Sequence, residues 1–189
     1  MLKDLVRSNR SYRRFHQDVV VSLEALRDLV DLARLSASGA NMQPLKYVLC
    51  NDAERNAAIF ETLSWAGYLK DWPGPVEGER PSAYVVVLGD TTIRPSFGVD
   101  PGIAAQSMLL GATEQGLGGC ILASIRRDAL RETLGIDERY QIELVLALGK
   151  PKETVVVDPV GPDGDIKYWR DAAGVHHVPK RALDEIIVG

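Results

Sequence analysis

The sequence predicts a mixed fold of helices and strands, of either the α/β or the α+β class. Two observations predict it: segments with apolar residues at helical spacing alternate along the chain with apolar runs of four to ten residues that are typical of buried strands. The chain has 189 residues, of which 46% are hydrophobic and 25% are charged. This length and composition favour a single domain over residues 1–189 with a substantial core.

The first half of the chain begins with a short helix over residues 2–8. Ser22 is a suitable N-cap for a helix that runs to about Leu35, because the apolar residues after it recur at helical spacing. A strand follows at Tyr47–Cys50. Asp52 is a second N-cap, for a helix over residues 52–63.

The second half opens with Ala83–Gly89, a continuous apolar run that indicates a strand covered on both faces. The helix predicted over residues 102–115 is apolar almost all round, so it is buried in the domain or against a second subunit. Further along, the pattern predicts a glycine turn at Gly116–Cys120, a strand at Ile121–Ala123, a helix at Arg127–Leu134 ending at Gly135, and a strand at Tyr140–Gly149 stopped by Pro151.

The C-terminal part, residues 152–179, is polar and rich in Asp, Gly and Pro. This composition predicts a long irregular tail that wraps over another surface and ends in a helix carrying Leu183, Ile186 and Ile187. His176 and His177 suggest a metal site, but no Cys or further His accompanies them, so no metal is predicted.

Composition excludes several classes of function. The net charge of −4 argues against a general nucleic-acid binder, and no segment is long and apolar enough for a membrane span or a signal peptide. Cys50 and Cys120 lie in or beside apolar runs. They are predicted to be reduced core thiols of a cytoplasmic protein.

Three stretches carry candidate binding residues. Asn9–Phe15 holds three arginines and a serine, which can bind a small anion or form a solvated basic patch. Ser36–Pro44 is a loop of small and polar residues that either lines a flat ligand or only joins a helix to a strand. Trp65–Pro75 is either a surface loop or a lid, with Trp65, Tyr68 and Trp72 able to cover a planar ligand.

Protein side chains alone suggest little chemistry. The sequence shows no Ser-His-Asp or Cys-His arrangement and no isolated pair of carboxylates. A bound cofactor would supply the missing reactive group, with the protein providing position and electrostatics.

The chain resembles the FMN-dependent nitroreductase family through four pieces in order. They are Arg10-Ser11-Tyr12-Arg13-Arg14-Phe15, the loop Ser36–Pro44, the helix and glycines of Gly102–Gly119, and Pro179-Lys180-Arg181-Ala182-Leu183-Asp184-Glu185-Ile186. The resemblance implies an α+β fold with a central, mostly antiparallel sheet flanked by helices. It also implies a homodimer with FMN at the interface and a C-terminal tail that wraps the partner subunit.

The resemblance also implies a set of cofactor-binding residues. Arg10 and Ser11 would hold the FMN phosphate, with Lys180 or Arg181 completing the site, and Arg13 would approach the N1/O2 edge of the flavin. Arg14 is then a bystander that faces solvent or forms a salt bridge. The ring would be lined by Ser38, Asn41 and Gln43 of the partner subunit, and by the backbone of Leu122, Ala123 and Ser124.

The resemblance therefore implies an oxidoreductase that takes a hydride from NADH or NADPH and reduces nitroaromatics, quinones or similar acceptors by a ping-pong mechanism. Three alternatives stay open: reductive dehalogenation on the same fold, flavin destruction, and a non-catalytic flavin-binding or storage module. A scaffold that has lost its flavin is disfavoured, because Arg10, Ser11, Arg13 and Asn41 are all present.

Overall fold

The computed structural model describes residues 1–189. Helices and strands alternate along the chain, as the sequence predicts. In order, they are α1 (Leu2–Ser8), β1 (Phe15–His16), α2 (Leu23–Leu35), a short 3-10 turn (Gly39–Asn41), β2 (Leu45–Cys50), α3 (Ala53–Phe60), β3 (Ala83–Asp90), α4 (Asp100–Glu114), β4 (Gly118–Leu122), α5 (Arg127–Leu134), β5 (Tyr140–Pro151), β6 (Val155–Pro159), β7 (Trp169–Arg170), β8 (His176–Lys180) and α6 (Leu183–Ile186).

The central sheet is antiparallel throughout. Strand β5 pairs with β1, β3 and β4, and β2 pairs with the far edge of β3. Helices cover the sheet, so the α+β class with an antiparallel sheet is confirmed.

Strand β3 is buried along its whole length, as its continuous apolar sequence predicts. Its odd-numbered residues, from Ala83 to Val87, face a core formed with α2 and α4. Its even-numbered residues, from Tyr84 to Leu88, face a second core with Ile59 and Leu130. Successive side chains of a strand point to opposite faces, so the sheet carries a core on each side.

Helix α4 packs closely on α2 and is largely buried, as predicted. A Cβ atom at Gly111 would lie 2.3 Å from Cδ1 of Leu32. Glycine at this position leaves room for Leu32 and lets the two helices approach closely over the sheet.

The predicted helix ends agree with the structure at most positions. Ser22 Oγ accepts a hydrogen bond from the Ala25 backbone nitrogen, and Asp52 accepts one from that of Arg55. Gly135 ends α5 with a φ of 63°. The helix that begins after Asp52 ends at Phe60, three residues before the predicted end.

Two boundaries in the second half differ from the prediction. Gly118, Gly119 and Cys120 belong to β4 rather than to a turn before it, because they pair with Gly149, Leu148 and Ala147 of β5. Strand β5 continues to Pro151, which pairs with Phe15 in the short edge strand β1. Proline is tolerated at such an end position of a sheet.

The prediction of an irregular tail is wrong. Strands β6, β7 and β8 form a second sheet in which β8 pairs in parallel with β6 and antiparallel with β7. The β-branched run Val155–Val157 favours a strand. Its partner lies about twenty residues further along the chain, however, so no local pattern reveals the pairing. The closing helix is confirmed as α6.

The other global predictions concern membranes and thiols. None of the helices has the combination of length and apolarity needed to cross a bilayer. Cys50 and Cys120 are free and buried, as predicted, and burial raises the pKa of both thiols.

Candidate functional site

A cavity of about 340 Å³ lies between the arginine stretch, α4, β4 and the tail sheet. Three of its lining side chains are cationic and none is acidic, although the chain as a whole has a net charge of −4. The cavity therefore suits an anionic ligand. It is lined by Asn9, Arg10, Ser11, Arg13, Gln106, Leu109, Ile121, Tyr168, His176, Val178 and Lys180.

The arginine stretch reaches this cavity because it lies against the start of β4. The Tyr12 backbone nitrogen donates to the Gly119 carbonyl at 3.0 Å, and Ser11 bridges to the same glycine. A Cβ atom at Gly118 would lie 2.5 Å from Cδ2 of Tyr12, and one at Gly119 would lie 2.7 Å from the Ala147 carbonyl oxygen. Gly118 thus creates room for the arginine stretch, whereas Gly119 allows β4 to pack closely against β5 and α4.

The three arginines of the stretch have different surroundings. Arg10 and Arg13 line the cavity. Arg14 forms a two-pronged salt bridge with Glu79, at 2.5 Å and 2.7 Å, as the bystander role predicts. The Arg14 hydrogen bonds, helped by Lys152, lower the pKa of Glu79 to about 2.

A buried carboxylate holds the backbone of the arginine stretch. Glu153 Oε1 accepts hydrogen bonds from the backbone nitrogens of Arg13 and Arg14, the second at 3.2 Å. Its Oε2 pairs with Arg170 Nη2 at 2.8 Å, and the Glu153 side chain is fully buried. Glu153, which lies between β5 and β6, therefore fixes the arginine stretch to Arg170 of β7.

The tail contributes two aromatic residues to which sequence reasoning gave no role. His176 is fully buried, and its Nε2 lies 3.2 Å from Arg13 Nη1. The Tyr168 ring centroid lies 5.2 Å from that of His176 and 4.8 Å from Arg13 Cζ. Burial, followed by the charges of Arg13 and Arg170, lowers the pKa of His176 to about 4. Successive side chains of a strand point to opposite faces, so a prediction of β8 would have placed His176 and His177 on opposite sides.

The neighbouring histidine faces the other side of β8. His177 Nδ1 lies 2.7 Å from Asp158 Oδ2, and its ring stacks on Trp169 at 4.1 Å between centroids. The hydrogen bond to Asp158 raises the pKa of His177. No cluster of three or more His, Cys, Asp or Glu side chains in the structure has a geometry that could hold a metal ion.

The loop Ser36–Pro44 lies away from the cationic cavity and lines a separate one of about 220 Å³, which includes Ser38 and Gln43. Ser38 Oγ donates to Asp100 at 2.7 Å and accepts from the Gln43 backbone nitrogen. Asn41, whose φ is 56°, accepts hydrogen bonds from the Gln43 amide. The loop does not meet Arg10 or Arg13 in the structure.

Among the remaining predicted binding residues, Lys180 alone lines the cationic cavity. Arg181 is exposed and pairs with Glu185. Leu122, Ala123 and Ser124 directly follow the lining residue Ile121 at the end of β4. Leu122 is buried, and the other two are exposed.

The three lid candidates occupy different positions. Trp65 is buried in the second core and packs against Phe60. Tyr68 is half exposed, with its ring centroid 4.9 Å from that of Tyr168. Arg170 Cζ lies 4.2 Å from the Trp72 ring centroid. Tyr68 and Trp72 thus connect this loop to the tail beside the cavity.

Comparison with known proteins identifies the family. The profile of the Nitroreductase family matches residues 6–71 and 80–150. An Archaeoglobus fulgidus protein with the provisional name NADH dehydrogenase/NAD(P)H nitroreductase is 27% identical over 157 residues, which cover 79% of this chain and 84% of that one.

A Vibrio harveyi protein named NADPH-flavin oxidoreductase is 24% identical over 82% of this chain and 68% of its own length. The solved structure of a nitroreductase family protein from Streptococcus pneumoniae has the same fold, with a TM-score of 0.72, 19% identity and full coverage of both chains. The chain belongs to the nitroreductase family.

Proposed function

We propose that the protein is a homodimeric, FMN-dependent oxidoreductase that transfers electrons from NADH or NADPH to nitroaromatics, quinones or similar conjugated acceptors. The observation that carries the proposal is the cavity with three cationic lining residues and no acidic one. Its volume of about 340 Å³ falls within the range of cofactor sites, roughly 300–1,000 Å³.

The donor set fits the phosphate of FMN. Arg10 is held in place by its own backbone surroundings, since its Nε donates to the Asn9 carbonyl and its Nη2 to the Val6 carbonyl at 2.9 Å. Its other terminal nitrogen remains for a ligand oxygen. Ser11 adds a hydroxyl, and Lys180 adds a second charge from the end of β8.

Arg13 fits the edge of the flavin where negative charge gathers on reduction. When bound, FMN supplies hydride transfer at N5 between the nicotinamide and the acceptor. The guanidinium of Arg13 would stabilise negative charge on the reduced flavin, and the backbone of residues 122–124 would help to hold the ring. No protein side chain is needed as a general acid.

The loop Ser36–Pro44 fits a contribution from a partner subunit. Ser38, Asn41 and Gln43 lie outside the cationic cavity of their own chain, so they can reach a flavin ring only across an interface. Several large apolar side chains on and directly after the terminal helices are exposed and would be covered in a dimer. They are Leu2, Val6, Leu183, Ile186, Ile187 and Val188.

Two further observations support the proposal. The names of the Archaeoglobus fulgidus and Vibrio harveyi relatives refer to nicotinamide-dependent reduction, and the second also refers to flavin. Both cysteines are free thiols, the form expected in a reducing compartment, which supports a cytoplasmic location.

Anaerobic reduction tests the proposed function. The purified protein is loaded with FMN, mixed with NADH or NADPH without oxygen, and then offered nitrofurazone and menadione while the flavin absorbance is followed. The expected result is bleaching by the nicotinamide and recovery of the absorbance by an acceptor. Bound FMN that neither nicotinamide reduces would indicate a storage module, and failure to bind FMN would overturn the proposal.

A further inference from the structure

The hydrogen bond between Arg13 and His176 has only one possible direction. A guanidinium only donates, so His176 Nε2, 3.2 Å from Arg13 Nη1, must accept with its lone pair. The imidazole is then neutral and carries its proton on Nδ1. Nδ1 is buried and has no partner within the protein.

Charged groups around His176 also favour the neutral ring. Arg13 faces it from the arginine stretch, Arg170 from β7 and His177 from β8. The carboxylate of Glu153 approaches Arg170 and the Arg13 backbone. A proton on Nε2 would remove the acceptor and place a second cation against the Arg13 guanidinium.

His176 acts together with three other restraints on Arg13. Glu153 fixes the Arg13 backbone, and the Tyr168 ring lies beneath the guanidinium with 4.8 Å between Cζ and the ring centroid. The Ser11 carbonyl accepts a second hydrogen bond from Nη1 at 3.2 Å. Among the side chains around Arg13, His176 is the one that accepts a hydrogen bond from its guanidinium.

We propose that His176 is a positioning residue for the cofactor: as a neutral Nδ1–H imidazole it orients Arg13 toward the ligand cavity. This role rests on the proposed function, in which Arg13 meets the flavin edge. His176 acts on the cofactor through Arg13, so its effect appears in flavin affinity and flavin potential. The tail sheet thereby sets the electrostatics of a site whose cations come largely from the other end of the chain.

The adjacent histidine provides a matched control. His176 and His177 are consecutive on β8, but only His176 contacts Arg13, while His177 contacts Asp158 and Asp171. His176→Leu removes the acceptor, His176→Gln keeps an oxygen acceptor, and His177→Gln tests a general disturbance of the strand.

The experiment measures the FMN dissociation constant and the midpoint potential of bound FMN in the full chain and its variants. For His176→Leu we expect about tenfold weaker FMN binding, the usual effect of losing a hydrogen bond to a charged group, and a more negative potential. His176→Gln is expected to restore most of both values, and His177→Gln to leave both unchanged. Wild-type values in His176→Leu, or equal losses in His177→Gln, would overturn the proposal.

A measurement on the wild-type protein without flavin separates this proposal from the proposed function. Nitrogen NMR of histidine-labelled protein at neutral pH is expected to show His176 as a neutral ring protonated at Nδ1. A proton at Nε2, or an imidazolium, would overturn the positioning role even if FMN binds. If FMN does not bind, the proposed function fails, and the tautomer still decides whether His176 accepts from Arg13.

Discussion

Glu153 and Arg170 form a salt bridge of 2.8 Å in which the carboxylate side chain is fully buried. The same carboxylate also accepts hydrogen bonds from two backbone nitrogens of the arginine stretch. Removing one partner of a buried ion pair of this kind is costly in free energy, because the other charge is left buried and unpaired.

Glu153→Ala is therefore expected to destabilise the protein by about 3–5 kcal/mol, since it leaves Arg170 and two backbone donors without their acceptor. Urea unfolding followed by circular dichroism measures the change. Glu77→Ala is the control, because Glu77 pairs with Arg80 at an exposed position and is expected to cost at most about 1 kcal/mol. Similar losses in the two variants would contradict the role assigned to Glu153.

Arg13 and Arg14 are neighbours with separate expected effects. Arg13→Ala is expected to weaken FMN binding by about tenfold or more and to make the flavin potential more negative, because a cation is lost from the flavin edge. Arg14→Ala is expected to leave both values close to wild type and instead to lower stability by about 1–2 kcal/mol through loss of the Glu79 pair.

Flavin titration and spectroelectrochemistry measure the first effect, and urea unfolding measures the second. If Arg14→Ala disturbs the flavin as much as Arg13→Ala, the division between ligand arginine and salt-bridge arginine is wrong.

His176 and His177 predict opposite pH dependences of stability. The folded pKa of His176, about 4, lies below its ordinary value of about 6.5, so the unfolded chain binds this proton first. The stabilising contribution of neutral His176 is complete above its ordinary pKa of about 6.5. It is lost as pH falls from this value to the folded pKa of about 4. The folded pKa of His177 is raised, so its contribution is complete below the ordinary pKa and is lost as pH rises through the folded value.

Unfolding free energies of wild type, His176→Gln and His177→Gln, measured from pH 4 to pH 8, test this difference. The free energy of His176→Gln is expected to fall less than that of wild type on the acid side. The unfolding free energy of His177→Gln is expected to fall less than that of wild type on the alkaline side. Parallel curves for all three proteins would contradict the assigned environments.

The close packing around Gly118 predicts a steric effect on the site when this residue is replaced by alanine. Alanine there would place Cβ 2.5 Å from the Tyr12 ring and 2.7 Å from Pro151, so the arginine stretch has to move. We expect Gly118→Ala to lower stability by about 1–3 kcal/mol, as overpacking does, and to weaken FMN binding.

Gly102→Ala is the matched control for Gly118→Ala. Gly102 lies in α4 with no atom within 4 Å of the added Cβ, and alanine there is expected to be neutral or to stabilise by up to about 1 kcal/mol. Thermal unfolding and flavin titration compare the two variants. Normal flavin binding by Gly118→Ala would show that the arginine stretch does not depend on this contact.

The sequence predicts well those elements whose signals are local. Ser22, Asp52 and Gly135 mark helix ends by chemistry within one turn, and the apolar run of β3 indicates burial on both faces. The tail sheet escapes prediction because its short strands are stabilised by distant partners. For the same reason the role of His176 is not visible in the sequence. It depends on β8, whose alternating side chains turn His176 toward Arg13.

The loop Ser36–Pro44 shows a second kind of limit. Its composition predicts a turn, but its shape depends on the buried Asp100, which lies about sixty residues away and accepts from Ser38 and Gly39. Ala40, Asn41 and Gln43 all have positive φ values, which side-chain-bearing residues adopt only where other contacts hold them. Such contacts are not visible in the loop sequence itself.

The hydrogen bond between Arg13 and His176 joins residues 163 positions apart. The cavity therefore cannot form from a local segment of the chain. The contacts of α2 with α4, and of β3 with β5, can form while the arginine stretch and β8 are still apart. In a refolding experiment, secondary structure is expected to return before the capacity to quench FMN fluorescence. Flavin fluorescence would then report the joining of the two ends of the chain as a late kinetic event.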